Sequence, residues 1–140
     1  MRNPDTTPFR TTGQVASGVG QGAEFLRIEW VEKELRQKLN LIPYPGTLNL
    51  RVPPEAREAL FTRRKSFLRI ADPIAPECPG YLRRVILRAN GNSCSTAYLI
   101  LPELTMYKDV LEVIAAENLR EMLGLKDGDA VEVEEVVSSE

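Results

Sequence analysis

Pro45-Gly46-Thr47-Leu48-Asn49-Leu50 sets a threonine and an asparagine two residues apart. On a strand that spacing puts both side chains on one face, with backbones roughly 7 Å apart. Two neutral oxygens cannot hold Mg²⁺ tightly by themselves, but they can when phosphate oxygens and waters complete an octahedron. Upstream, Gly18-Val19-Gly20-Gln21-Gly22 offers a loop that can turn tightly and bring amide N–H groups up to a di- or triphosphate. Downstream, Glu112 interrupts the apolar run Val110, Leu111, Val113, Ile114. A carboxylate there can accept a proton from a substrate hydroxyl or bind a polyol. Asn118, Arg120 and Glu121 fall on a short helix whose N-terminal amides can face an anion.

Each feature also has a plainer reading. The glycine loop is GxGxG, with no Gly-Lys-Ser/Thr after it and no βαβ unit around it, so alone it reads more readily as a bulged connection. Spacing alone favours a Thr47/Asn49 face that simply meets water, and local pattern favours Glu112 as a solvent-facing carboxylate on an alternating strand. The Asn118–Glu121 helix can be a solvated face. Lys126-Asp127-Gly128-Asp129 lacks the further ligands of a calcium loop and reads as a turn.

These residues need elements to position them. Gln14, Val15 and Ala16 read as a strand running into the glycine loop, and Phe25 to Ile28 as a second strand or the lead into a helix. Val31, Leu35 and Leu39 recur on one helical face, ended by Pro43 and Pro45. Thr47 to Val52 alternates as a half-buried strand. Pro54 opens a short helix through Leu60. Ser66 to Ala71 reads as a strand and Asp72 to Gly80 as a loop. Tyr81–Ala89 and Thr96–Leu101 form a hairpin across Asn90-Gly91. Val110–Ile114 is an apolar run. Glu117–Leu123 is a helix capped by Gly124, and Val131 to Val136 is a last strand. Many short strands without helix–strand alternation disfavour a doubly wound sheet and favour a barrel-like, mainly β domain with inserted helices.

A chain of 140 residues suits one domain, with residues 1–12 expected to be a flexible arm and 13–137 the domain. There is no histidine, which removes Ser-His-Asp hydrolases and HExxH metalloproteases. Chemistry falls to carboxylates, amides, Lys or Arg, or a metal on oxygen ligands. The net charge of −2 argues against a nucleic-acid partner. No stretch approaches the ~18 apolar residues of a membrane span, and the polar N-terminus lacks a signal core. Cys78 and Cys94 read as reduced thiols, so a cytoplasmic location is expected.

The segments Gly13-Gln14-Val15-Ala16-Ser17-Gly18-Val19-Gly20-Gln21-Gly22, Pro43-Tyr44-Pro45-Gly46-Thr47-Leu48-Asn49-Leu50, Leu111-Glu112-Val113-Ile114-Ala115, Asn118-Leu119-Arg120-Glu121 and Leu125-Lys126-Asp127-Gly128-Asp129 together resemble the archaeal CTP-dependent riboflavin kinases. The Pro-Gly-Thr-Leu-Asn-Leu element is the most specific. The resemblance implies a six-stranded cradle-loop barrel and transfer of a phosphate from CTP to riboflavin, giving FMN and CDP. It implies nucleotide contacts from Gly18, Val19, Gly20, Gln21, Gly22 and Ala23 and from Glu117, Asn118, Leu119 and Arg120. It implies one Mg²⁺ on Thr47 and Asn49, and flavin contacts from Thr105 and Glu112, with Glu112 the candidate catalytic carboxylate. No membrane and no nucleic-acid partner are implied, and a monomer is expected. Ala23, Glu24, Met106 and Tyr107 depart from the family's usual residues. They motivate two rivals: a barrel that binds flavin or nucleotide without turnover, and a barrel-type nucleic-acid-binding regulator.

Overall fold

Asn90 and Gly91 both take positive φ, 53° and 75°, the backbone that a two-residue hairpin needs to match strand twist. They join the two longest strands of the chain. A computed structural model describes residues 7–18, 22–105 and 107–137. Among these the order is β1 (Arg10–Ala16), α1 (Gly22–Phe25), α2 (Glu29–Leu39), β2 (Leu48–Arg51), α3 (Pro54–Thr62), a 3₁₀ turn (Arg64–Ser66), β3 (Leu68–Ile70), β4 (Gly80–Ala89), β5 (Asn92–Pro102), β6 (Val110–Ile114), α4 (Leu119–Leu123) and β7 (Ala130–Glu135). The strands pair in the order β3-β4-β5-β6-β2-β1-β7, and β4 also pairs with β7. That last pairing closes a six-stranded antiparallel barrel, with β3 attached outside it to the start of β4.

The closed barrel expected from the sequence is therefore present. Alternation explains how it fills. Leu48 and Leu50 of β2, Leu99 and Leu101 of β5, Leu111 and Val113 of β6, and Val131 and Val133 of β7 form one buried interior cluster. The opposite faces of β4, β5 and β6 carry Leu82, Ile100 and Ile114, which form a second cluster with Val31 and Leu35 of α2. Burying each of these two helix side chains stabilises by about 1.5–3 kcal/mol. Asn40, in the left-handed region at φ 52°, ends α2 and donates its N–H to the Arg36 carbonyl.

Glu135 locks the closure of β7 on β4. Its carboxylate is 0% exposed and accepts from Arg63 Nη2 at 2.6 Å and Arg83 Nε at 2.9 Å. It also accepts from the Phe9 backbone N–H at 3.2 Å.

Some boundaries differ from the sequence expectation. β1 begins at Arg10 and pairs with β7 from there, so residues 10–12 belong to the barrel instead of to an arm. Of the two readings of Phe25–Ile28 the structure takes the lead into a helix: Phe25 closes the short helix α1 and α2 begins at Glu29. In 66–71 only three residues are extended, since a 3₁₀ turn takes up Ser66. Both cysteines are free, Cys78 exposed and Cys94 buried. No helix among the described residues is long and apolar enough to cross a membrane.

Candidate functional site

One cross-strand row organises the outer face of the barrel. Ala16 pairs with Asn49, Asn49 with Glu112, Glu112 with Ile100, and Ile100 with Leu82. Because Leu48, Leu50, Leu111 and Val113 point inward, this row points outward. Ile100 and Leu82 lie in the cluster beneath α2, while Asn49 is half-buried. The row thus brings the end of β1, where the glycine loop starts, next to Asn49 and then Glu112.

Thr47 Oγ1 donates to Asn49 Oδ1 at 2.8 Å. The expected convergence of the two oxygens is present, and their separation is close to the ~3 Å edge of an octahedron of ~2.1 Å oxygen ligands. Among the described residues no group of three or more Asp, Glu or Cys side chains is placed to hold a metal. A cation at Thr47 and Asn49 would therefore meet two neutral oxygens and need the rest of its shell from water and a phosphate-bearing ligand. The donor set suits Mg²⁺ on those terms.

Glu112 is 5% exposed, which overturns its expected solvent-facing position. All five residues of β6 are buried, because the outer face of this strand is covered as well as its inner face. Arg57 of α3 lies close by, with Nε donating to the Val110 carbonyl at 3.2 Å. Burial pulls the Arg57 guanidinium below its ordinary range, and the negative charges of Glu112 and Glu58 oppose that shift.

Thr47 lines a cavity of about 250 Å³ together with Tyr44, Gly46, Val113 and the whole segment Glu117, Asn118, Leu119, Arg120. Thr47 and the 117–120 segment, far apart in sequence, therefore share one concave surface. Asn118 is the cap of α4, its Oδ1 accepting from the Glu121 N–H at 3.3 Å. A second cavity of about 400 Å³ adjoins it across Tyr44, Pro45 and Gly46, and is lined by Ala23, Leu26 and Arg27.

The start of the glycine loop is tied down on the other side. Ser17 Oγ donates to Asp127 Oδ1 at 2.8 Å, and Arg120 Nη2 donates to both Ser17 Oγ at 2.8 Å and Asp127 Oδ1 at 2.9 Å. The Ser17 hydroxyl and the Arg120 guanidinium hold the Asp127 carboxyl below its usual range. Two backbone bonds, Val15 N–H to Asp129 O and Gly128 N–H to Val15 O, fix the 126–129 turn against β1.

Gly18 follows β1, Gly22 opens α1 and Ala23 lines the larger cavity, whereas Val19, Gly20 and Gln21 lie outside the described residues. Thr105 lines a third cavity, of about 430 Å³, with Arg57, Phe61 and Lys108, and its Oγ1 accepts from the Tyr107 N–H at 3.1 Å. Thr47 does not line that cavity, whereas Arg57, which feels the Glu112 charge, does. Sequence reading assigned no role to Tyr44, Ser17, Arg57 or Asp127. An exposed aromatic between two prolines was the available signal for Tyr44; the others depend on contacts across 53 to 110 residues.

The fold is a small antiparallel six-stranded β-barrel decorated with short helices, on which the Thr47–Asn49 oxygen pair lies beside a buried carboxylate and two cavities adjoin at Tyr44, Pro45 and Gly46. Residues 15–135 match the family described as Domain of unknown function DUF120, labelled CTP-dependent RFKase. Riboflavin kinase of Archaeoglobus fulgidus is 38% identical over 138 residues, covering 95% of this chain and 57% of that protein. Riboflavin kinase of Pyrobaculum islandicum is 37% identical over 131 residues, covering 90% of this chain and 60% of that protein. Riboflavin kinase of Methanopyrus kandleri is 30% identical over 129 residues, 92% of this chain and 84% of that protein. The chain belongs to this CTP-dependent riboflavin kinase domain family, and it spans less than two thirds of the length of the first two relatives.

Proposed function

We propose that the chain is a riboflavin kinase that moves the γ-phosphate of CTP to the ribityl 5′-hydroxyl of riboflavin, giving FMN and CDP. The observation that carries this reading is the direct pairing of Asn49 with Glu112, beside the Thr47 oxygen and the cavity bounded by 117–120. It sets a metal-suited oxygen pair next to a buried carboxylate, which is what phosphoryl transfer to an alcohol asks of a protein.

In this reading the nucleotide lies along the 117–120 segment and the glycine loop, from Gly18 to Ala23, with its phosphates toward Thr47 and Asn49. Mg²⁺, held by Thr47 and Asn49 when bound, offsets phosphate charge. Glu112 orients the attacking hydroxyl and takes its proton as the new O–P bond forms and the bond to the β-phosphate oxygen breaks. Its burial keeps water from competing for that carboxylate. The flavin contacts Glu112 and, through the cavity beside Arg57 and Phe61, Thr105. Catalysis is then chiefly positioning and electrostatics. The choice of CTP rests on the family, as do Mg²⁺ and the flavin. A monomeric cytoplasmic enzyme without nucleic-acid or membrane partners completes the proposal. Phosphate transfer from CTP to riboflavin by the purified chain tests it.

A further inference from the structure

Tyr44 is a large aromatic residue that the fold leaves 43% exposed, yet holds at both ends. Its backbone N–H donates to the Ala115 carbonyl at 2.7 Å, pinning its main chain to the end of β6. Its phenol oxygen accepts from Asn118 Nδ2 at 3.1 Å. The Asn118 amide is oriented from its other end, where Oδ1 accepts from the Glu121 N–H as the cap of α4. Pro43 and Pro45 on either side narrow the backbone further. Among the described residues no other ring and no guanidinium stacks on Tyr44. Tyr44 lines both adjoining cavities, one of which also takes in Ala23 and the other Thr47 and the 117–120 segment.

A rigid, exposed aromatic face at the junction of two cavities is a stacking surface for a planar ring. We propose that Tyr44 is the platform on which the nucleobase of the phosphate donor stacks, and that Asn118 acts as a positioning residue for that ring. This rests on the kinase reading for the identity of the ligand. It has two consequences. Asn118 acts on the base by setting the Tyr44 ring, and its amide keeps a second N–H beside the one given to Tyr44 that can meet the nucleotide directly. Stacking tolerates every base because each has a π-face, so Tyr44 supplies affinity without choosing between nucleotides.

The test is calorimetric titration of CDP with Mg²⁺, in the absence of riboflavin, into wild type and the variants Tyr44→Ala, Tyr44→Phe and Tyr44→Trp. Inorganic tripolyphosphate, which has no base, is titrated in parallel. Tyr44→Ala should bind CDP about tenfold more weakly, with tripolyphosphate affinity unchanged, and the Phe and Trp variants should stay within about threefold of wild type. ADP should lose the same factor as CDP in the Ala variant. The Tyr44 N–H bond to Ala115 is a backbone bond and survives all three changes, and circular dichroism checks the fold. An Ala variant that binds CDP like wild type overturns the proposal. Equal losses of CDP and tripolyphosphate overturn it too, as does wild type that binds no CDP. Wild type that binds CDP with this Tyr44 dependence but makes no FMN would instead sink the kinase reading and leave the platform standing.

Discussion

Asn49 and Glu112 stand directly opposite each other in the antiparallel pairing of β2 with β6, on the outer face of the barrel. Side chains so paired lie ~5 Å apart at Cβ. A slip of one residue in this register would turn one of the two into the interior and away from the other, so the apolar residues on either side, Leu48 and Leu50 against Leu111 and Val113, hold the two polar groups together. Core packing and site assembly are thus the same act in this fold.

Asn49→Ala removes one of the two paired oxygens and the acceptor of the Thr47 hydroxyl. The residue is half-buried and faces outward, so the barrel should still form. Turnover should fall at least about 100-fold, with a higher Mg²⁺ concentration needed for half-maximal rate. Steady-state kinetics against Mg²⁺, beside circular dichroism of the same sample, checks this. A folded variant with normal turnover would remove the metal assignment.

Glu112→Gln keeps the shape of the side chain and abolishes its charge. The kcat for FMN formation should drop about 100-fold while KM for CTP moves by less than about threefold. An unchanged kcat would show that the carboxylate neither orients nor deprotonates the hydroxyl.

Glu135→Ala tests the closure of the barrel. It would leave Arg63 and Arg83 without the buried carboxylate that both now contact. Breaking a buried pair in this way costs about 3 to 5 kcal/mol. Chemical denaturation should show that loss, and a shift below about 1 kcal/mol would mean the closure depends on the β4–β7 ladder alone.

Much of this was legible in the chain. Asn90-Gly91 announced the hairpin because a two-residue turn needs positive φ, and Val31 and Leu35 announced α2 because one face of a helix recurs every three to four residues. The alternation from Thr47 to Val52 placed the oxygen pair on one face. The burial of Glu112 does not follow from the alternation, because a period of two says which residues share a face and not what will cover that face. An apolar run of four around a single carboxylate was the signal for a strand covered on both sides. The Ser17–Asp127–Arg120 contacts and the Glu135 pairs were beyond reach, since they join positions brought together only by barrel closure.

Asp127, Asp129 and Glu134 all have carboxyl groups held below their ordinary range, by Ser17 and Arg120, by the Lys126 backbone N–H, and by Arg88 respectively. A depressed folded pKa contributes stability above the unfolded pKa, and that contribution is lost as pH falls through the folded value. Their contribution to Tm should therefore be fully present above about pH 5 and fall away progressively below it. In Asp127→Asn the decline should be shallower. An acid limb identical to that of wild type would mean the Asp127 contacts are not maintained in solution.

The most direct measurement is FMN formation from riboflavin and Mg²⁺ by the purified chain, with CTP and ATP supplied in separate reactions. FMN and CDP should appear in equal amounts with CTP, and much more slowly or not at all with ATP. A folded chain that makes no FMN with either nucleotide would contradict the kinase reading and leave a barrel that binds its ligands without turning them over.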